Sequence, residues 1–216
     1  MKRHSSVHGI YLAAGQSARM GTNKLGLPLR GIALGNHALL AALEAGLAHV
    51  WIVTAEGKAD WLDAALCRDR FRPKWTLVRC PDAHSGQAHS IRCGVKAAMT
   101  AGAEAVMILL ADQPGVTAAM INELLCRYGQ ASEREEIHFA AAEFGRLARP
   151  PVICHRRMFP ELLRLQGDQG ARQLIRHGWP GISVPFGSPD LFLDVDTPED
   201  YELLRDKENA DSPPKS

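Results

Sequence analysis

Long apolar segments are missing from this chain. No hydrophobic run approaches the roughly 20 residues needed to cross a bilayer, and the N-terminal letters MKRHSS lack the apolar segment that should follow the basic start of a signal peptide. These absences predict a cytoplasmic protein with no membrane partner.

Charge excess and paired cysteines are also missing. The chain carries 25 Lys and Arg against 24 Asp and Glu, so no overall field favours nucleic acid as a partner. Its five cysteines are odd in number and widely scattered without a CxxC pair, which favours reduced thiols over disulfides or a zinc site. Any anion-binding site must therefore be local.

The chain has the size and the apolar content of one α/β domain. It has 216 residues, 46% of them hydrophobic, and no charge run or low-complexity stretch divides it. We expect a single domain over residues 1–206. The polar, proline-bearing segment 207–216 is expected to be a disordered tail.

Strand-like and helix-like segments alternate, which predicts a mostly parallel sheet with helices on both faces. Such sheets bind ligands beyond the C-terminal ends of their strands. Residues 145–157 are expected to form a loop rich in arginine and proline. The expected strands are 7–13, 50–54, 75–79, 105–111, 137–142 and short ones near Ile182 and Phe192; the expected helices are 36–46, 59–68, 87–101, one after Thr117, 159–165, 170–177 and one from Pro198.

The first apolar strand opens into the sequence AAGQSARMGTNK, residues 13–24. This loop has neither the Walker A nor the GxGxxG spacing. Its glycines nevertheless allow backbone N–H groups to turn toward an anion, while Arg19 and Lys24 supply cationic contacts for phosphate oxygens. An ordinary glycine-bearing turn with solvated basic side chains is the alternative interpretation.

Two acidic segments follow strand-like runs. Asp112 ends the run AVMILLA, where an aspartate can hold Mg²⁺ that bridges phosphates, or can simply stabilise a turn. Asp194 and Asp196 in LFLDVDTPEDY are two residues apart and point to one face of an extended segment, whereas Thr197 and Asp200 are explained by a helix capping box. We therefore predict a metal site from Asp112 with at least one of Asp194 and Asp196.

Other polar loops are candidates for binding a second, phosphorylated substrate. Their residues of interest are Asp82 and Ser90 between a strand and a helix, Arg149 in an arginine-rich segment, and Asp168 and Arg172 around the start of a short helix. Solvated faces explain most of these equally well, so the loops alone do not decide.

Taken together, the motifs resemble the MobA-like nucleotidyltransferases related to the molybdopterin-guanine dinucleotide enzyme. The motifs occur in the same order as in the family and extend over nearly the whole chain. Within the family, the sequence most resembles molybdenum cofactor cytidylyltransferases and similar purine-catabolism proteins. Two segments depart from the family pattern: RPPV at 149–152, where Gly-His-Pro is frequent, and QAHS at 87–90. The motifs in order are LAAGQSARMGTNKLGLPL (12–29), PDAHSGQAHSIRCGV (81–95), LLADQP (109–114), GDQGAR (167–172) and DVDTPEDY (194–201).

The resemblance implies a Rossmann-like three-layer fold around a mixed, mostly parallel sheet and an Mg²⁺-dependent transferase. By this resemblance, CTP or another nucleotide binds to Leu12, Ala13, Ala14, Gly15, Arg19, Lys24 and Asp82. Catalysis involves Arg19, Lys24 and Asp112, and metal binds to Asp112, Asp194 and Asp196. The acceptor binds to Ser90, Arg149, Asp168 and Arg172. The Ala-Ala-Gly form of the loop resembles the cytidylyl branch.

The implied reaction is transfer of CMP from CTP to molybdopterin, with a xanthine dehydrogenase or its maturation factor as a further partner. Two alternatives stay open. One keeps the chemistry but uses a sugar phosphate or another small phosphate as acceptor. The other is a non-catalytic molybdenum cofactor binding or insertion protein for purine catabolism.

Overall fold

The computed structural model of the protein describes residues 7–15, 20–68, 70–175 and 178–211. Strand and helix bounds follow in chain order. The strands are β1 (Val7–Leu12), β2 (Pro28–Leu29), β3 (Ile32–Ala33), β4 (His49–Thr54), β5 (Trp75–Arg79), β6 (Ala105–Leu110), β7 (Phe139–Phe144), β8 (Leu147–His155) and β9 (Gly181–Pro185). The α-helices are α1 (His37–Glu44), α2 (Gln87–Thr100), α3 (Ala118–Ser132), α4 (Phe159–Arg164), α5 (Ala171–Ile175) and α6 (Pro198–Asp211).

The main sheet has the strand order β5-β4-β1-β6-β8-β7-β9, and β2 pairs with β3 in a separate hairpin. Strands β5, β4, β1 and β6 are parallel to one another, while β8 runs antiparallel to both β6 and β7. The carboxyl ends of β1 and β6 therefore meet the amino-terminal half of β8 at one edge of the sheet.

Helices cover both faces of this sheet. Successive residues of β1 point to opposite sides: Tyr11 packs with α1 and α3, whereas Ile10 packs with α2 and α4. Helix α2 approaches β1 closely, because Gly94 has no side chain to separate it from Ile10. The predicted mixed sheet between two helical layers is confirmed.

Three predicted elements are wrong. The helix expected over 59–68 is reduced to the 3₁₀ turn Ala64–Cys67, where the Asp63 side chain accepts a hydrogen bond from Ala65 N–H. The loop expected over 145–157 contains β8. A short strand expected near Phe192 is the 3₁₀ turn Pro189–Phe192. Helix α6 ends at Asp211, so the tail expected over 207–216 is described only as far as that residue.

The error over β8 has a physical cause. Pro150 and Pro151 have no N–H group and are therefore unfavourable inside a sheet. Both fall opposite a register irregularity between Ala141 and Ala142 of β7, where regular ladder pairing is interrupted. Because of these prolines and the neighbouring arginines, the residue pattern of this segment predicts a loop instead of a strand.

Candidate active site

The edge formed by the ends of β1 and β6 carries a cavity of about 320 Å³. Its walls come from the glycine loop, from the segment around the start of α2 and from the residues after β6. The lining residues are Leu12, Ala13, Ala14, Gly15, Lys24, Leu25, Ala83, His84, Gly86, Gln87, Ser90, Leu110, Ala111, Asp112 and Asp168. We call this the first cavity.

Lys24 forms the charged centre of the first cavity. It begins the 3₁₀ turn Lys24–Gly26, which the Asn23 side chain caps by accepting a hydrogen bond from Leu25 N–H. Its Nζ atom lies 2.7 Å from Asp112 Oδ2 and 2.9 Å from Asp196 Oδ1. Lys24 is only 7% exposed, so its ammonium is held between carboxylates from two distant segments.

The pKa of Lys24 reflects two opposing influences. Burial lowers it, but the charges and hydrogen bonds of Asp112 and Asp196 raise it more, so the net pKa lies above the ordinary value of 10.5. The side chain is therefore a fixed positive charge at neutral pH, next to a loop of backbone amides.

Asp196 is positioned by the start of α6. The Asp200 carboxylate accepts hydrogen bonds from Asp196 N–H (3.1 Å), Thr197 N–H (2.9 Å) and the Thr197 hydroxyl (2.9 Å), and Asp200 N–H donates back to Thr197 Oγ1. This reciprocal pattern is that of a capping box. Desolvation raises the pKa of Asp200, but these hydrogen bonds and the charge of Lys24 together outweigh it, so the net pKa is below 3.8.

A second cavity, of about 390 Å³, lies beside the first. It shares Gln87, Leu110 and Asp168 with the first cavity. Its other lining residues are Ile108, Gln113, Arg149, Pro150, Val152, Gly170, Ala171, Arg172, Gln173 and Asp194. Arginines and apolar strand residues thus face the same space.

Asp194 belongs to the second cavity rather than to the lysine cluster. Gln113 Nε2 donates a 2.8 Å hydrogen bond to Asp194 Oδ1. Asp194 is exposed as a residue, yet nearby protein atoms crowd its carboxylate, and this desolvation is the main cause that raises its pKa. The carboxylates of Asp112 and Asp196 raise the pKa further, while Gln113 and Arg149 lower it.

The wall between the two cavities depends on close backbone contact. Gly167 accepts a 3.0 Å hydrogen bond from Ala88 N–H through its carbonyl oxygen. Gly86 has φ +116°, and a Cβ atom there would lie 2.2 Å from that same oxygen. Glycine at position 86 is therefore what allows the loop at 167–168 to lie directly against the start of α2.

A third cavity, of about 310 Å³, lies on the other side of the glycine loop. Ala13, Ala14 and Gly15 line it together with the end of β4 and the residues that follow. The glycine loop thus separates two spaces, of which the first contains the lysine cluster.

The sequence-predicted site residues lie in several places. Leu12–Gly15, Lys24 and Asp112 line the first cavity, Arg149, Arg172 and Asp194 line the second, and Asp168 lines both. Asp196 contacts Lys24. Ser90, for which acceptor binding is expected, also lines the first cavity. Asp82 is exposed on the 3₁₀ turn Pro81–Ser85, and its neighbours Ala83 and His84 line the cavity instead; Arg19 lies outside the described residues.

Gln113 is a site residue that the sequence prediction missed. Its amide connects the segment after β6 to Asp194, and it is only 2% exposed. In the sequence, only its position directly after Asp112, where a polar side chain follows a buried strand, indicates that Gln113 is a site residue.

Within residues 7–15, 20–68, 70–175 and 178–211, no group of three or more His, Cys, Asp and Glu side chains is arranged to hold a metal ion. In the same ranges, no helix combines the length and the apolar character needed to span a membrane.

This combination of sheet, glycine loop and charged strand ends is that of a nucleotidyltransferase. Residues 9–182 match the MobA-like NTP transferase domain, so the chain belongs to the MobA-like NTP transferase family. The match covers the glycine loop, Asp112, Arg149 and Arg172, but ends before Asp194.

Known relatives agree with this membership. The chain is 37% identical over 201 residues to the Purine catabolism protein PucB of Bacillus subtilis, covering 91% of this chain and 95% of the relative. It is 27% identical over 213 residues to the molybdenum cofactor guanylyltransferase of Rhodobacter capsulatus, covering 96% and 99%. A nucleotidyl transferase structure from Methanothermobacter thermautotroptrophicus shares the fold, with TM-score 0.74, 21% identity and coverage of 95% and 99%.

Proposed function

We propose that this nucleotidyltransferase transfers CMP from CTP to the terminal phosphate of molybdopterin carrying molybdenum, with release of pyrophosphate. The supporting observation is the Lys24 ammonium held between Asp112 and Asp196 at the first cavity. Gln113, the residue after Asp112, lines the second cavity. In this proposal the first cavity holds the nucleotide and the second holds the acceptor.

The chemistry is an in-line displacement at the α-phosphorus. An oxygen of the acceptor phosphate forms a bond to that phosphorus, and the bond from phosphorus to the oxygen that bridges to the β-phosphate breaks. The electron pair leaves with pyrophosphate. Because the acceptor phosphate is already ionised at neutral pH, the chain has only to align the reactants and stabilise the leaving charge.

Lys24 and the amides of Leu12–Gly15 are proposed to bind the triphosphate. Lys24 is charged, buried and fixed on both sides, so it supplies electrostatic stabilisation without reorganising during the reaction. Arg19 is proposed as a further phosphate contact from the same loop.

The carboxylates fit an Mg²⁺ ion bound together with the substrate. Mg²⁺ is commonly held by one or two protein carboxylates, with phosphate and water oxygens completing its ligands. Asp112 and Asp196 both reach a single nitrogen atom, so we assign them as this pair and leave Asp194 to Gln113. When bound, Mg²⁺ would neutralise charge on the triphosphate.

Ala14 supports the choice of cytidine. It lines the first and third cavities, so its methyl group takes up space on the loop between them that a glycine would leave open. A tighter site favours a pyrimidine over the larger purine. The similarity to a protein named for purine catabolism supports a xanthine dehydrogenase as the enzyme that receives the product.

The test is a turnover assay of the purified protein with released molybdenum cofactor, Mg²⁺ and each of the four NTPs in turn. We expect pyrophosphate release and a cytidine dinucleotide by mass spectrometry, strongest with CTP and lost on chelation of Mg²⁺. Preference for GTP would contradict the nucleotide assignment. Turnover with a sugar phosphate alone would contradict the acceptor, and tight cofactor binding without pyrophosphate would indicate a carrier protein.

A further inference from the structure

The start of helix α2 is packed directly against the segment 165–170, which contributes to the lining of both cavities. Ala88 N–H donates a 3.0 Å hydrogen bond to Gly167 O. Gly170 lies so close to α2 that a Cβ atom there would be 2.6 Å from Gln87 Oε1. Because Gln87 borders both cavities, a movement of this segment relative to α2 changes both spaces at once.

Arg92 reaches this segment from one turn further along α2. Its Nη1 atom donates a hydrogen bond to the carbonyl oxygen of Leu165, the residue that directly follows α4. The last carbonyl groups at the end of a helix have no partner inside the helix, and a buried backbone oxygen needs one. The guanidinium therefore supplies a donor at the point where the segment begins.

His89 holds the Arg92 guanidinium in this orientation. Arg92 Nη2 lies 3.0 Å from His89 Nδ1, three residues earlier on the same helix, where side chains are neighbours. A guanidinium only donates hydrogen bonds, so Nδ1 is the accepting nitrogen and the ring hydrogen lies on Nε2. The two contacts use different nitrogen atoms of one planar group, which a lysine, with a single nitrogen, does not provide.

The segment itself is a turn with its own internal hydrogen bonds. Gln166 N–H donates to Gln169 Oε1 at 2.9 Å, and Gln169 N–H donates to Gln166 O at 3.1 Å. Asp168 lies inside this turn and borders both cavities. The position of Asp168 therefore follows that of the whole turn, which contacts α2 through Ala88 and Arg92.

We propose that Arg92 is a positioning residue, which holds the segment 165–170, and Asp168 with it, against the start of α2 so that nucleotide and acceptor are aligned for transfer. The described residues that line the two cavities do not include Arg92, so it acts through the segment. Misalignment by about 1 Å can lower a rate by about 100-fold. This inference rests on the proposed function, which places the two substrates in the two cavities.

Hydrogen exchange at the Ala88 amide, followed by NMR, tests the positioning directly. Ala88 is in the first turn of α2, where N–H groups have no partner inside the helix, so its protection depends on Gly167 O. In Arg92→Met we expect exchange at Ala88 to accelerate by about 10- to 100-fold, the range for losing a hydrogen bond from a charged group. The amides of β6 should keep their wild-type rates, which a global loss of stability would also change.

Steady-state turnover gives the second measurement. Arg92→Met should lower kcat by about 10- to 100-fold and change KM for the nucleotide little, because Lys24 and the loop of Leu12–Gly15 are left in place. Arg92→Lys keeps one donor for the Leu165 carbonyl and should recover part of both losses. The matched control Lys96→Met removes an exposed positive charge one turn further along α2 and should equal the wild type in both measurements.

Wild-type exchange at Ala88, or an unchanged kcat, in folded Arg92→Met would overturn the proposal. If this variant does not fold, His89→Ala replaces it, because it removes the partner that orients the guanidinium; wild-type exchange at Ala88 in His89→Ala would then overturn the proposal. The exchange measurement needs no substrate. A wild-type protein that releases no pyrophosphate with any NTP would therefore contradict the proposed function, while the exchange at Ala88 would still decide whether Arg92 holds the segment.

Discussion

Lys24 and Asp112 are 88 residues apart in the chain and meet at 2.7 Å. Lys24 ends the glycine loop after β1 and Asp112 lies two residues beyond the end of β6, so the parallel arrangement of β1 and β6 brings them together. The contact links the two segments on which phosphate and metal binding are proposed to depend.

Replacing Lys24 by Met should lower the rate of pyrophosphate release by about 100-fold or more, because one charge-stabilising donor is removed from the reacting phosphates. Lys96→Met, an exposed substitution on α2, is the matched control and should retain activity. Steady-state assays with thermal melting of each protein would separate lost chemistry from lost folding. Near-normal turnover in Lys24→Met would contradict its catalytic role.

Asp112→Asn and Asp196→Asn should each raise the Mg²⁺ concentration needed for half-maximal turnover, because each removes a proposed carboxylate ligand. Asp194→Asn should have a smaller effect on this Mg²⁺ requirement, since its carboxylate is held by Gln113. A titration of turnover against Mg²⁺ measures the difference. The assignment fails if Asp194→Asn shows the largest change, and exposed Asp190→Asn serves as the neutral control.

Asp200→Ala should destabilise the fold by about 1 kcal/mol through loss of the cap on α6. Because the folded pKa of Asp200 is below 3.8, its contribution is fully present above that value and disappears as the pH falls through the lower folded pKa. Urea unfolding at neutral pH and in acid would detect this. The stability difference from wild type should shrink in acid, while exposed Glu199→Ala should change little at either pH.

Two helix glycines should respond oppositely to alanine. At Gly94 a Cβ atom would lie 2.4 Å from Ile10 Cγ2, and Ile10 is fully buried, so Gly94→Ala should destabilise by about 1–3 kcal/mol. At Gly129 nothing lies within 4 Å, so Gly129→Ala should stabilise α3 by up to about 1 kcal/mol. Chemical denaturation of both variants checks the prediction; equal shifts would contradict the tight packing of α2 on β1.

Much of the sheet was predictable because its central strands are continuous apolar runs. The expected strands at 7–13 and 105–111 differ from β1 and β6 by a single residue at the carboxyl end. Carboxylates placed directly after such strands are likewise visible in the sequence. Asp112 could therefore be predicted as a site residue from its position, and it lines the first cavity.

The parts that could not be predicted depend on long-range contact. The approach of Lys24 to Asp196 spans 172 residues, and nothing local indicates that the ammonium lies between two carboxylates. Arg149 reaches the second cavity because β8 runs antiparallel, so the beginning of this strand lies beside the end of β6. Because residues 145–157 are expected to form a loop, the sequence does not predict that Arg149 lies beside the end of β6.

The thin wall between the first and second cavities has a practical consequence for inhibition. Gln87, Leu110 and Asp168 border both spaces. With the nucleotide and the acceptor bound as proposed above, a compound that joins mimics of both by a short tether would lie on either side of these residues. Such a bisubstrate compound loses its translational freedom only once while occupying both cavities, so its affinity should exceed that of either half by orders of magnitude.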